Sequence, residues 1–296
     1  MNWKVLIKKI RYVFEAIVTK LALEFFLAIN VKKAANIAAK LTIFVGKKLS
    51  VHNLAYRNLS NALPYLSQKE KEKILDDMWD NLGRIIGEFS HIAAFDPKEL
   101  EGFVSMSDET RANLEALKND GKGGIIFSGH IGNWEIGPKS LLAQGLKVST
   151  VYRPLNNPYV EKMTGQMRGV EMIEKTASGN RRIIEVIKKG GFVIILADQK
   201  ISEGEKVKFF HADAVTTTSI ARMVLRYGIS LVPARVIRVG RDFKFQVEVE
   251  KPLVIQKTSD INSDILLLTR EINRKLEEWI SQYPAQWFWV HNRWKQ

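Results

Sequence analysis

His130 and Glu135, in the stretch GHIGNWE, are residues whose types and spacing suggest catalysis. Imidazole has an unperturbed pKa near neutrality and can therefore act as a general base. A neighbouring carboxylate can hold the ring in one tautomer and stabilise the imidazolium that forms. We therefore interpret His130 and Glu135 as a catalytic dyad. The structural alternative is a histidine in a polar turn and a glutamate favoured by the dipole of a helix start.

The elements around this dyad can be predicted from the hydrophobic pattern. Residues 125–127 form a short apolar run typical of a buried strand, and helical periodicity begins near Asn133. Glycine at position 132 lets backbone and substrate approach closely, and a helix start offers free N–H groups to a developing negative charge. In open α/β sheets, ligands bind at the carboxyl ends of the strands. We expect Gly132 and Asn133 to contribute to substrate binding beside the dyad.

Other polar residues also fall at the ends of predicted strands. Arg153 follows the run VSTVY, and Asp198 and Gln199 follow the run FVIILA. Arginine can bind a phosphate or carboxylate through two parallel hydrogen bonds. Taken singly, Arg153 could be a surface charge and Asp198 a turn residue. Their joint placement at strand ends makes Arg153, Asp198 and Gln199 candidate substrate-binding residues.

The order of strand and helix signals predicts an α/β fold with a mostly parallel central sheet flanked by helices. Residues 32–120 are expected to be mostly helical, and Ser67 with Glu70 resembles a capping box. Beyond the central stretch, we predict strands at residues 147–152, 170–173, 192–197, 231–239 and 243–249, and helices at residues 157–168, 179–189, 216–227 and 260–283.

The composition excludes several kinds of catalytic and metal-binding site. The chain has 296 residues and no cysteine, which excludes disulfides, thiolate metal sites and a cysteine nucleophile. Its five histidines lack metal-ligand spacing, so no metal site is predicted. The formal net charge of +13 indicates an anionic partner, unless it reflects a general bias toward lysine. No element interleaves a basic stripe with aromatic residues, so a nucleic acid is not the expected partner.

The N-terminal residues 1–45 are predicted to be a helical, membrane-associating segment, and residues 46–296 the catalytic domain. Apolar residues recur at helical spacing among basic ones, at Ile7, Ile10, Phe14, Ile17, Leu21, Phe25 and Ala28. Glu15, Lys20 and Glu24 interrupt this pattern. A basic amphipathic helix in the membrane interface fits best. A weak membrane span and a helix packed on the protein's own core are the alternatives.

Five segments together resemble the lipid A biosynthesis acyltransferases of Gram-negative bacteria: GHIGNWE, VYRPLNNP, ILADQ, FFHADAVTTTS and QWFWVHNRWK. The resemblance implies late acylation of a lipid A precursor, with acyl carrier protein as donor co-substrate and no cofactor. It places the protein at the cytoplasmic face of the inner membrane, peripherally or through one N-terminal anchor. His130 and Glu135 match the family's HxxxxE dyad, Arg153 its active-site arginine, and Asp198 and Gln199 its DQ pair. We expect a monomer.

The sequence departs from the family pattern at two points. Lys200 stands where the family often has aspartate after the DQ pair, and His211 follows Phe209 and Phe210 where the family usually shows glycine. These departures leave the acceptor and the chain length open. The alternatives are an acyltransferase acting on another glycolipid or on a lysophospholipid, and a basic peripheral membrane protein without catalytic activity.

Overall fold

The computed structural model describes residues 3–200 and 204–294. The predicted N-terminal segment and catalytic domain both extend to residues outside these ranges, namely 1–2, 201–203 and 295–296. The described chain begins with helices, as predicted: α1 (Trp3–Ala28), α2 (Val31–Gly46), α3 (Ser50–Ala62), α4 (Gln68–Ala94) and α5 (Pro97–Glu101). The predicted capping box of Ser67 and Glu70 is confirmed at the start of α4. None of the helices formed by the described residues has the length and apolar character needed to cross a membrane.

Strands and helices then alternate to the C-terminus. The elements are β1 (Val104–Ser105), α6 (Asp108–Asn119), β2 (Gly124–Ser128), α7 (Ile136–Ala143), β3 (Val148–Tyr152), α8 (Pro158–Met167), β4 (Glu171–Glu174), α9 (Ala177–Lys188), β5 (Phe192–Leu196), β6 (Glu205–Phe209), β7 (Ala212–Thr216), α10 (Ser219–Tyr227), β8 (Ser230–Arg238), β9 (Phe245–Val249), α11 (Ile261–Gln282) and a 3-10 helix, Pro284–Gln286.

Seven strands form the main sheet in the order β1-β9-β8-β2-β5-β3-β4. The β8–β9 pair is antiparallel, and the other neighbours in this sheet are parallel. The predicted α/β fold with a mostly parallel sheet is therefore confirmed. The sequence prediction missed the antiparallel β6–β7 hairpin and began α10 too early. The hairpin forms because Val207, Phe209 and Ala214 alternate with polar residues and bury their side chains.

Both faces of the central strands are covered, which explains their continuous apolar sequences. Ile125 and Phe127 of β2 point into one hydrophobic cluster, where the Phe127 ring stacks on Trp279 of α11 at 5.8 Å. Ile126 points into the cluster on the opposite face. The pairing of β2 with β5 aligns Ser128 with Leu196, so the turns that follow these two strands lie side by side.

A buried ion pair holds the turn that follows β2 in place. Arg238, at the end of β8, donates to both carboxylate oxygens of Glu88 on α4, at 2.6 and 2.7 Å. Their side chains are only 4% and 1% exposed. Asn133 adds a hydrogen bond to the same carboxylate at 2.8 Å. The ion pair therefore connects α4, β8 and the turn that carries His130.

We predict that Arg238→Met lowers the free energy of unfolding by about 3 to 5 kcal/mol, because it leaves the Glu88 carboxylate buried without its cation. Arg182→Met is the matched control, since Arg182 forms its ion pairs at the exposed surface with Glu171 and Glu185. Urea unfolding of both variants measures the difference. Equal losses in the two variants would contradict a structural role for the buried pair.

Candidate active site

The His130 side chain is held by Asp198. His130 follows β2, Asp198 follows β5, and His130 Nδ1 lies 2.8 Å from Asp198 Oδ1. The backbone N–H of His130 donates to Asp198 Oδ2 at 2.7 Å. The histidine is therefore bound by the same carboxylate through both its ring and its backbone. This arrangement fixes the direction in which the imidazole points.

The Asp198 carboxylate is buried, and both of its oxygens accept hydrogen bonds. Its side chain is 2% exposed, and the indole N–H of Trp287 also donates to Oδ2, at 2.8 Å. Burial alone would raise the pKa of Asp198, but the charge of His130 and the hydrogen bonds from His130 and Trp287 lower it to about 2. The group is therefore an anion at neutral pH, and it can stabilise a protonated imidazole.

The other ring nitrogen of His130 faces Gln199. Gln199 Nε2 lies 3.3 Å from His130 Nε2. The ionised Asp198 carboxylate can only accept, so Nδ1 carries the proton of this hydrogen bond, and in the neutral ring Nε2 is the acceptor that faces the Gln199 amide. The Trp134 ring packs edge-on against the imidazole at 5.0 Å, and the Phe288 ring lies 6.3 Å away. In this tautomer Nε2 is the ring nitrogen whose lone pair can accept a proton.

Glu135 was predicted to orient His130, but its carboxylate is bound to Arg168. The guanidinium of Arg168, just beyond α8, donates to both oxygens of Glu135 at 3.0 Å. The imidazole takes its carboxylate contact from Asp198 instead, because α7 begins directly after Glu135 and the ion pair draws that side chain toward α8. Burial opposes the charge of Arg168, but its hydrogen bonds and attraction to Glu135 raise its pKa. The expected role of Glu135 as the partner that orients His130 is therefore corrected.

Gly132 and Asn133 have structural roles in the turn itself, and their part in substrate binding stays a prediction. Asn133 is 0% exposed, donates to Glu88 and accepts from the backbone N–H of Glu135. Gly132 has a φ of +60°, and a Cβ there would lie 2.0 Å from the carbonyl oxygen of Val236. Neither residue has a side chain that can reach a ligand. They hold His130 in position through the backbone.

Arg153 lies at the same edge of the sheet, directly after β3. Its side chain is exposed and forms no ion pair with a carboxylate among the described residues. Burial and the positive charge of Arg153 together lower the pKa of Lys175, which follows the adjacent strand β4. Two cations thus stand next to one another where these strands end. The geometry is compatible with the predicted anion contact of Arg153.

The site can accept a proton from a ligand hydroxyl. The side chain of His130 is 17% exposed, whereas that of Asp198 is 2% exposed, so the ring alone faces solvent. Within residues 3–200 and 204–294, no group of three or more histidine and acidic side chains could hold a metal ion. The arrangement is that of a general base with a buried carboxylate behind it.

Arg168 and the C-terminal residues that complete this site were not predicted from the sequence. Arg168 follows α8 without a recognisable motif, so only its spatial pairing with Glu135 identifies it. Trp287 belongs to a segment that the analysis used for its resemblance to a family but assigned no role. His291 in that segment accepts a hydrogen bond from the backbone N–H of Lys200 at 2.7 Å. Its burial lowers its pKa, which suits a neutral acceptor.

Comparisons with known proteins agree with the earlier resemblance. The family model described as bacterial lipid A biosynthesis acyltransferase matches residues 4–296. A lipid A biosynthesis acyltransferase of Haemophilus influenzae is 21% identical over 265 residues, which cover 86% of this chain and 79% of that protein. The lipid A biosynthesis myristoyltransferase of Escherichia coli is 23% identical over 261 residues, covering 86% of this chain and 78% of the relative. The lauroyltransferase of the same organism is 23% identical, covering 82% and 78%.

Proposed function

The chain belongs to the bacterial lipid A biosynthesis acyltransferases, and on that premise we propose that it transfers a fatty acyl chain from acyl carrier protein to a hydroxyl of a lipid A precursor. The reaction would be a late acylation in lipid A biosynthesis. The observation that carries this proposal is the hydrogen bond between His130 and the buried Asp198 at the carboxyl ends of β2 and β5. This pair supplies the base that a hydroxyl nucleophile requires.

In the proposed mechanism, His130 Nε2 removes the proton from the acceptor hydroxyl as the oxygen attacks the thioester carbonyl of the donor. Asp198 accepts the hydrogen bond of the Nδ1 proton throughout and stabilises the imidazolium. The tetrahedral intermediate then collapses and breaks the carbon–sulfur bond. The proton held on Nε2 passes to the departing thiolate of the carrier protein. The products are the ester and the free thiol, and no covalent enzyme intermediate is needed.

Two backbone N–H groups at the start of α7 are already engaged and do not serve the oxyanion of that intermediate. The backbone N–H groups of Glu135 and Ile136 already donate to Asn133. Arg153 is the better candidate, because its guanidinium is exposed and has no carboxylate partner among the described residues. A preorganised cation can stabilise a developing negative charge strongly in such a site.

Glu135 and Arg168 act together in this proposal. Their bidentate pair is partly buried, with side chains 16% and 23% exposed. Arg168 also lies over the ring of Phe89 on α4, at 5.7 Å from the ring centre. The pair therefore joins the start of α7 to α4 and to the end of α8. It would keep the substrate side of the His130 turn rigid, which makes Glu135 a positioning residue.

The charge balance suits the proposed partners. A net charge of +13 favours an acidic carrier protein, an anionic acceptor and the anionic surface of the inner membrane on its cytoplasmic side. The enzyme test is to incubate the purified protein with acyl carrier protein donor and lipid A precursor, and to read the products by mass spectrometry. A gain of one acyl chain supports the proposal, and exchange of the acceptor for a lysophospholipid or another glycolipid tests the alternative substrates. No gain with any acceptor would leave a non-catalytic membrane protein.

We predict that His130→Ala and Asp198→Asn each lower turnover by roughly 10² to 10⁴, the usual contribution of general base catalysis. The double variant should be no slower than the slower single variant, because residues that act as one unit have non-additive effects. Steady-state rates from the mass-spectrometric assay measure this. His211→Ala is the control, since His211 is exposed on the β6–β7 hairpin and should keep full activity. An active His130→Ala protein, or losses that multiply, would contradict the mechanism.

The N-terminal helices offer a surface for the membrane. In α1, the residues of the predicted apolar stripe are exposed, which does not agree with packing of that stripe on the protein's own core. They are Ile7, Ile10, Phe14, Ile17, Leu21 and Phe25. Helix α2 also exposes Leu41 and Phe44. A monomeric soluble protein rarely exposes so many large apolar side chains on neighbouring helices. We propose that this apolar surface lies in the membrane interface.

Helix α1 is also attached to the rest of the protein. The carbonyl oxygen of Leu23 accepts from Ser90, and that of Phe26 contacts the His91 ring, both on α4. Asn157, which caps α8, donates to the carbonyl of Tyr12. Contact with the membrane would therefore hold α4 and α8, and with them the site, close to the lipid surface.

We predict that the double variant Ile10→Glu and Leu21→Glu lowers the affinity for anionic liposomes by roughly tenfold or more, since insertion of each apolar side chain is worth about 1.5 to 3 kcal/mol. The matched control is Val254→Glu with Ile261→Glu, which changes the charge equally at exposed apolar positions away from α1 and α2. Co-sedimentation compares the two. If both double variants bind as the unchanged protein does, the proposed surface does not contact lipid.

A further inference from the structure

The C-terminal segment after α11 is bound to both turns of the site. The carbonyl oxygen of Gln286 accepts from the backbone N–H of Gly132 at 3.0 Å, and Trp287 forms an antiparallel bridge with Ile131. Further along, His291 accepts from the backbone N–H of Lys200 at 2.7 Å. The segment therefore holds the turn that carries His130 and the turn that carries Asp198 at the same time.

Within this segment, Trp287 makes the contact that matters for chemistry. Its indole N–H donates to Asp198 Oδ2 at 2.8 Å, and Trp287 itself is 1% exposed. We propose that Trp287 is a positioning residue for general base catalysis, which fixes the Asp198 carboxylate and sets how strongly that carboxylate attracts the proton on His130. The catalytic role of Trp287 rests on the proposed acyl transfer, to which it adds a residue that acts through Asp198.

The division of donors between the two carboxylate oxygens supports this role. Oδ2 accepts from the His130 backbone at 2.7 Å and from Trp287 at 2.8 Å, which leaves Oδ1 to the imidazole at 2.8 Å. A hydrogen bond to a carboxylate stabilises its charge and makes it a weaker acceptor for other donors. If the indole N–H is removed, more of the charge of Asp198 is available to His130. The imidazolium form then becomes more stable, and the neutral base forms only at higher pH.

Solvent cannot easily replace the indole N–H, because Asp198 and Trp287 are 2% and 1% exposed. The charge of His291 interacts with those of His130, Asp198, Arg293 and Lys200, and the charge of Arg293 also interacts with Asp198 and Glu277. Substitution of Trp287 changes none of these charges. Glu135 in the same turn is neutralised by Arg168. A shift in the titration of His130 therefore reports the loss of the indole donor.

Trp289 provides a matched control in the same segment. It is 0% exposed, packs edge-on against Trp287 at 4.6 Å between ring centres, and donates its indole N–H to the carbonyl of Pro284 at 2.7 Å. Trp289→Phe therefore removes the same atoms from the same cluster without touching the carboxylate. Both substitutions should lower the melting temperature, so stability alone does not separate a positioning role from a packing role.

The experiment titrates the His130 ring by NMR in the full-length protein with labelled histidine, with the signal assigned by its absence in His130→Gln. In Trp287→Phe, the midpoint of the His130 titration should rise by roughly 0.5 to 1 pH unit, because His130 experiences only part of the roughly 1 to 2 units that one hydrogen bond to a charged group is worth. In Trp289→Phe, the midpoint should stay where it is in the unchanged protein. An unchanged midpoint in Trp287→Phe, or equal shifts in both variants, would overturn the proposal.

A second variant covers the case in which Trp287→Phe does not fold. Benzothienylalanine placed at position 287 keeps the shape of the indole and replaces its N–H by sulfur, so it should give the same upward shift. In the acyl transfer assay, the acidic limb of the profile of kcat/KM against pH should move by the same amount. The titration does not depend on the reaction. A protein that shows the shift but transfers no acyl chain would contradict the proposed function, but not the effect of Trp287 on Asp198 and His130.

Discussion

The architecture of the site depends on a buried charge, the Asp198 carboxylate. Burial of an ion in the protein interior costs several kcal/mol unless hydrogen bonds and an opposite charge offset it. Here the compensation comes from two distant parts of the chain, the turn of His130 and the C-terminal residue Trp287. Gly129 allows the approach, because a Cβ there would lie 3.3 Å from Asp198 Oδ2. The carboxylate is thereby satisfied only when these parts have folded together, which couples formation of the site to formation of the fold.

A second buried charge pair gives the site its rigidity. Arg238 and Glu88 connect β8 with α4, and Asn133 ties the turn of His130 to them. The turn is therefore held on one side by this ion pair and on another by Asp198. Catalytic groups work best when they are in place before the substrate arrives, since the reaction then has no reorganisation to drive. Gly132 and Asn133 contribute to this preorganisation, since one allows the close approach to Val236 and the other binds Glu88.

The sequence predicted the strands and their polar ends, because runs such as residues 192–197 are apolar only when both faces of a strand are buried. It could not pair His130 with Asp198. Their adjacency follows from the neighbouring positions of β2 and β5, which β3 and β4 separate along the chain. Sequence proximity favoured Glu135 instead, and nothing local indicated that Arg168 would bind it. The resemblance pointed to His130, Asp198 and Gln199, which the structure brings together, whereas their pairing depended on the order of strands in the sheet.

Asp198, and not Glu135, holds the imidazole of His130 with its proton on Nδ1. The most direct test is the nitrogen chemical shifts of the His130 ring at a pH where it is neutral. We predict the Nδ1–H tautomer in the unchanged protein and in Glu135→Gln, and its loss in Asp198→Asn. An Nε2–H tautomer in the unchanged protein would contradict it, as would a tautomer that changes in Glu135→Gln but not in Asp198→Asn.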